Sequence, residues 1–176
     1  MADDGRRARF EAAYDAHLGA VLAYARRRTG AASAEDATAE VFLVAWRRIA
    51  DMPEDPLPWL LGVARNVLAN QARGDRRRIA LERRLTDELP SFAGAPEVAD
   101  LDPALAAALR RLPGDDRELL CLLAWERLTR DQAAAALGCR PAALRLRIHR
   151  ARRRLERELA AGPAARPDPA AEGGHA

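Results

Sequence analysis

Long apolar runs are missing from this 176-residue chain: no stretch approaches 18 uninterrupted apolar residues, which excludes a membrane-spanning helix. The N-terminus, MADDGRRARF, lacks the apolar segment of a secretion signal, so the expected location is the cytoplasm with no insertion into a membrane. Cysteine is reduced to Cys121 and Cys139, without a CxxC pair or histidines at zinc spacing, which excludes a disulfide framework and a structural zinc. Both read as small apolar groups rather than as a redox pair. His17, His149 and His175 are too scattered for a metal site or a catalytic pair. There is no phosphate-cradling glycine loop and no nucleophile elbow, and no acid, base and nucleophile converge, so neither a cofactor, a metal nor an enzyme activity is expected. β-Strand alternation and internal repeats are absent as well. Lysine does not occur at all. Each of the 29 basic residues is arginine, whose planar fork suits phosphates and guanine edges.

The formal charge is only +3, too small by itself to imply a polyanionic partner, so the distribution of arginines carries the information. They cluster around 73–84 and 140–157. Residues 128–155, LTRDQAAAALGCRPAALRLRIHRARRRL, read as a capped helix, a tight turn and a second, cationic helix. Thr129 with Gln132 forms a capping box, and Gly138 stands where a residue tolerant of positive φ is needed. Pro141 fits the first position of the second helix. Leu144, Ile148, Ala151, Leu155 and Leu159 recur at three- and four-residue spacing and are expected to be its buried stripe. The arginines fall elsewhere around that helix. A helix-turn-helix of this kind presents its second helix to a DNA major groove.

The rest of the chain reads as helix throughout. A first helix is expected from about Arg7 to Thr29, ending at Gly30. A second begins after Ser33, with Asp36 completing a capping-box variant, and directs Ala37, Val41, Val44, Ala45 and Ile49 inward. Asp51 to Pro58, with three prolines, is a loop, and a third helix carries Leu60, Ala64, Val67, Leu68 and Gln71 on its buried side before running out into Arg73, Arg76, Arg77 and Arg78. Between 86 and 102 there is no basic residue, while Asp87, Glu88, Glu97, Asp100 and Asp102 appear among prolines and a glycine. This is the expected interdomain linker. Helices follow from about Pro103 to Leu112 and from Asp115, with Glu118 as its cap partner. The expectation is therefore an all-α protein: two small helical domains, 7–85 and 103–161, joined by a flexible acidic linker at 86–102, the second domain containing the helix-turn-helix. Residues 162–176 form a tail without apolar periodicity, expected to be disordered.

Three stretches in order resemble the extracytoplasmic-function, or group four, sigma factors of bacterial RNA polymerase. They are AEDATAEVFLVAWRR (34–48), PWLLGVARNVLANQ (58–71), and LTRDQAAAALGC with the downstream RIHRARRRL (128–139 and 147–155). The resemblance covers about Phe10 to Leu159. It implies a sigma factor that binds core RNA polymerase, directs it to two-part promoters and stabilises melted promoter DNA, with the polymerase carrying the chemistry. An anti-sigma protein is a further partner of such factors. By position, the face bearing Asp36, Glu40, Phe42 and Trp46 would dock on the polymerase, although Phe42 and Trp46 read equally well as core residues. Asn66 would contact a base of the minus-ten element, with Asn70 beside it where many members have aspartate, and Arg65, Arg73, Arg76 and Arg77 would hold phosphates. Arg145, Leu146, His149 and Arg150 would lie nearest the bases of the minus-thirty-five element, with Arg140, Arg147, Arg152 and Arg154 on the DNA backbone. Leu146 departs from the small polar residue usual at its position, and Arg140 from the usual serine or threonine cap. The competing readings are an autonomous helix-turn-helix transcriptional regulator, and an adaptor that binds polymerase or an anti-sigma protein without selecting promoters. The first-domain motifs and the lack of a dimerisation helix weigh against the regulator.

Overall fold

Apolar residues at helical spacing, interrupted by glycine and proline, fold into seven α-helices in the computed structural model, which describes residues 2–83 and 101–162. They are α1 (Ala2–Arg26), α2 (Ala31–Arg47), α3 (Pro56–Arg83), α4 (Pro103–Arg111), α5 (Gly114–Ala124), α6 (Arg130–Ala136) and α7 (Pro141–Ala160), and a 3-10 turn, Ile49–Asp51, follows α2. The all-α class holds among the described residues. The expected linker falls outside them except for Leu101 and Asp102, and so does the tail beyond Gly162.

Local signals place some boundaries and miss others. At α6 the capping box forms in full: the Gln132 backbone N–H donates to Thr129 Oγ1 at 3.2 Å, and the Thr129 N–H donates to Gln132 Oε1 at 2.9 Å. Gly138 takes φ +62°, which lets the Cys139 N–H reach the Ala134 carbonyl at 2.9 Å and close the helix. Pro141 starts α7 as expected. In contrast, Ser33 caps nothing. Helix α2 already starts at Ala31, with Gly30 as its N-cap in an extended conformation, so Ser33 lies inside the first turn. The α5 cap is also different: Pro113 holds that position without a side-chain hydrogen bond, and Asp115 and Glu118 are left to bond elsewhere. Asp102 supplies a cap that sequence reading assigned to the linker, accepting from the Ala104 and Leu105 N–H groups at 2.8 and 3.2 Å.

The first three helices bury Val21, Tyr24, Val41, Phe42, Leu60, Leu61 and Val67 against one another. In the second unit, α4 and α5 pack on α7 through Leu109, Leu119, Leu122, Leu144, Ile148 and Ala151. Leu155 is half-buried, and Leu159, expected in the same stripe, is instead 40% exposed.

The sequence leaves the packing of the two helical units on each other open, and one apolar cluster runs through both. Helix α6 lies on α3, and the close approach depends on small residues: a Cβ at Gly62 would stand 2.9 Å from the Ala136 carbonyl oxygen, and Ala133, Ala134 and Ala136 of α6 are all buried. Polar groups lock the same junction. Arg28 lies with its guanidinium 3.5 Å from the Tyr24 ring centroid and donates through Nε and Nη2 to Glu118 at 2.9 and 3.0 Å. Its Nη1 reaches Glu126 at 3.3 Å, and Arg27 also pairs with Glu126. The Tyr24 hydroxyl donates to Glu118 at 2.7 Å.

Burial pushes the Tyr24 hydroxyl well above the ordinary phenol range, and the Glu118 carboxylate adds to the shift. The folded chain therefore favours neutral Tyr24. Below about pH 10, where tyrosine in the unfolded chain is neutral too, this preference leaves stability intact; as pH rises beyond that value the unfolded chain ionises first and stability falls. Melting temperatures measured between pH 8 and 11 should decline along this limb, and Tyr24→Phe should flatten it. An equal decline in both chains would assign the alkaline limb to other groups. Burial likewise pushes the Cys121 thiol up to about 12, which removes it from thiolate chemistry near neutral pH.

Candidate nucleic-acid interface

Helix α7 is held by one face and leaves the other to solvent. Leu144, Ile148 and Ala151 anchor it, so Arg145, Leu146, His149, Arg150, Arg152 and Arg153 are exposed. Arg147 is half-buried. Among the described residues no ion pair engages Arg145, Arg147 or Arg150, so their charges are free for a ligand. Arg154 differs: it pairs with Asp116 of α5, a buried carboxylate, and so ties the recognition helix to its support. Arg140 is exposed at the N-cap and makes no side-chain cap bond. The arrangement offers a row of forked donors with the exposed Leu146 among them, on a helix fixed from behind.

Helix α3 carries the second candidate surface. Asn66, Asn70, Arg73 and Arg77 are all exposed, and their spacing of four, three and four residues places them on one side of the helix. Arg73 donates to Asn70 Oδ1, which orients that amide. Arg65 lies beside this row, half-buried, with Nη2 donating to Asp115 Oδ1 of α5 at 3.1 Å. Arg76 belongs to α3, but its side chain is outside the described residues. The loop leading into α3 is pinned from the second unit, because Gln132 Nε2 donates to Asp55 Oδ2 at 2.8 Å. The structure thus gathers the α3 group on one helix and the α7 group on another, with α6 packed between them.

On α2, Asp36, Glu40 and Trp46 are exposed, and Glu40 accepts from Gln71 Nε2 at 3.2 Å. Phe42 is not part of that surface. It is 4% exposed, with its ring 4.7 Å from Tyr14 and 6.3 Å from Phe10, because its position on the helix turns it toward α1. Leu43 takes its place at 55% exposed, in line with Asp36 and Glu40, and Tyr14 adds a partly exposed ring. Sequence reading missed both. Leu43 was hidden in an apolar run, VFLVAW, whose inward members are decided by the neighbouring helices.

The junction of Tyr24, Arg27 and Arg28 with Glu118 and Glu126 was also missed, and no local pattern signals it: the partners are separated by 90 or more residues. Among the described residues no group of three or more histidines, cysteines, aspartates or glutamates could hold a metal ion, and no helix is long and apolar enough to cross a membrane.

Comparison with known proteins matches residues 13–78 to Sigma-70 region 2 and residues 103–155 to Sigma-70, region 4. The ECF RNA polymerase sigma factor SigL of Mycobacterium tuberculosis is 33% identical over 154 residues, an alignment covering 84% of this chain and 87% of that protein. A Xanthomonas campestris protein described as "Probable RNA polymerase sigma factor RfaY" is 36% identical over 138 residues, and the match spans 73% of this chain but 34% of that longer protein. Among solved structures, the sigma factor RpoE of Bartonella quintana, in complex with the anti-sigma factor NepR, superposes with a TM-score of 0.60 at 25% identity, covering 86% of this chain and 96% of that one.

Proposed function

The chain belongs to the ECF sigma factors of bacterial RNA polymerase, and from that premise we propose that it is a non-enzymatic specificity subunit that binds core polymerase in the cytoplasm. It directs the enzyme to promoters with two elements and uses binding energy to hold the melted strand. The observation that carries this reading is the pairing, in one chain, of an exposed Asn66–Asn70–Arg73–Arg77 row on α3 with an exposed cationic α7. An autonomous regulator needs only the second.

In this division of labour, α7 enters the major groove of the minus-thirty-five element, where Arg145 and Arg150 read base edges and Arg140, Arg147, Arg152 and Arg153 position the backbone. The α3 row takes the single strand of the minus-ten element: Asn66 supplies amide groups for an unstacked base, and Arg73 and Arg77 meet phosphates. The α2 face of Asp36, Glu40, Leu43 and Trp46 docks on the polymerase. An anti-sigma protein is a further partner, as NepR is for RpoE.

This reading has a geometric consequence. Elements named for positions about 25 base pairs apart lie roughly 85 Å apart along B-DNA, whereas a compact chain of this length has a radius of gyration of about 16 Å. The α3–α6 contact cannot persist while both elements are held. Promoter recognition therefore requires the two units to separate.

Adding the chain to sigma-free core polymerase and sequencing the 5′ ends of transcripts from genomic DNA tests the proposal. Start sites sharing two upstream elements, absent with core alone, are expected. DNA binding without any core-dependent initiation would favour the autonomous regulator. Asn66→Ala should reduce opening of the minus-ten region, read as permanganate reactivity of its thymines, by roughly 5- to 150-fold, while initial duplex binding stays within about twofold. Equal loss in both assays would remove Asn66 from a melting role.

A further inference from the structure

The N-terminal half of α7 has an apolar strip on a surface that is otherwise cationic. Leu146 is 51% exposed, and Ala142 and Ala143, one turn earlier, are exposed with it. Spacing of three and four residues puts these side chains on one face, opposite the Leu144, Ile148 and Ala151 anchor. A single exposed leucine is ordinary on a protein surface. This one sits among Arg145, His149 and Arg150 on the second helix of a helix-turn-helix, within the turns that meet base edges. The arginines select a polyanion as the occupant of this face. The apolar group that a duplex presents in its major groove is the thymine C5-methyl.

We infer that Leu146 reads thymine methyl groups in the minus-thirty-five element, with Ala142 and Ala143 small enough to let the helix approach the base edges. The inference rests on the promoter-recognition reading and adds to it a base preference. Arg145 and Arg150 select guanine by paired hydrogen bonds; Leu146 selects thymine over cytosine, which lacks the methyl, by burying apolar surface. A polar residue at this position would require a hydrogen-bonding partner, whereas leucine makes a T·A pair favourable without one.

Uracil isolates this contact, since it keeps every hydrogen-bonding group of thymine and lacks only the methyl. Promoters identified from the start sites above are synthesised with uracil replacing thymine at one position of the upstream element at a time, on either strand, and titrated with the chain bound to core polymerase. At one or two positions the replacement should weaken binding about fourfold, the value of one buried methyl group. Leu146→Ala and Leu146→Gln chains should bind the thymine and uracil duplexes alike at those positions. Helicity and melting temperature of both variants should match the parent, because the side chain is outside the core.

Equal binding at every position by the parent chain, or a uracil penalty that persists in both variants, would overturn the inference. So would loss of core polymerase binding in the variants with thymine preference retained, which would assign Leu146 to a protein contact. Absence of any defined start site would overturn the promoter reading itself, before the uracil series begins, so the two failures are separable.

Discussion

Replacing Arg145 and Arg150 together with alanine is expected to weaken minus-thirty-five binding by between about 30-fold and 25,000-fold, the combined loss of two bidentate guanine contacts at roughly 1 to 3 kcal/mol each. Both side chains are exposed and free of ion pairs among the described residues, so their truncation removes ligand contacts without disturbing the helix. Leu144, Ile148 and Ala151 continue to anchor it. Arg152→Ala and Arg153→Ala should behave differently. Each should weaken native and scrambled elements alike and lower the salt dependence of binding by about one unit of slope. Arg154→Ala should act on the fold instead, since it strips the partner from buried Asp116. Titration of the native and scrambled duplexes at several salt concentrations separates the three classes. If the Arg145/Arg150 double variant lost the same factor on a scrambled element, both residues would be phosphate contacts and base selection would have to come from elsewhere on α7.

Arg28→Ala should cost the packed chain about 3 to 5 kcal/mol, because it leaves the shielded Glu118 carboxylate without its cation and Glu126 with one partner fewer. The side chains concerned are 14% exposed for Arg28, 16% for Glu118 and 6% for Glu126, so water replaces little of what is lost. Arg27 retains Glu126, but Glu118 keeps only the Tyr24 hydroxyl. For a chain of this size the melting temperature should fall by roughly 10 °C, and small-angle scattering should show a larger radius as α5 and α6 leave α1 and α3. Arg28→Lys should give an intermediate loss, since a point charge cannot hold both oxygens of Glu118 as the guanidinium fork does. An Arg28→Met, Glu118→Gln pair, compared with the single variants, measures the coupling directly. Since promoter recognition in the proposed function needs the two units apart, Arg28→Ala should retain start-site selection with core polymerase despite its lower melting temperature. Unchanged melting and unchanged radius would mean that the α3–α6 packing and the remaining polar contacts hold the units together without Arg28.

Recognition of the helix-turn-helix from sequence worked because each of its signals acts within a few residues. The Thr129–Gln132 box, Gly138 and Pro141 satisfy backbone groups or φ angles in their own neighbourhood, and the structure uses all of them. Ser33 and Asp115 failed for the same locality: each resembles a cap, but backbone context placed the helix starts earlier, at Ala31 and Gly114. Along α2, periodicity selected the buried side but could not divide VFLVAW between core and surface. Phe42 went inward and Leu43 outward because α1 presents Phe10 and Tyr14 on one side only. The α3 row and the α7 arginines were legible as candidates, since polar residues excluded from an apolar stripe have to face outward.

By itself, the sequence determined the all-helical class, the order of the two units, the cationic α7 and the family motifs, because these follow from spacing and residue type within short windows. Only the tertiary structure decided that the two units share a core, that Gly62 faces the Ala136 carbonyl, and that Arg28 joins Glu118 and Glu126. Those contacts link residues 74 to 98 positions apart. Their energies depend on close approach and exclusion of water, which arise when helices pack and which no local pattern encodes.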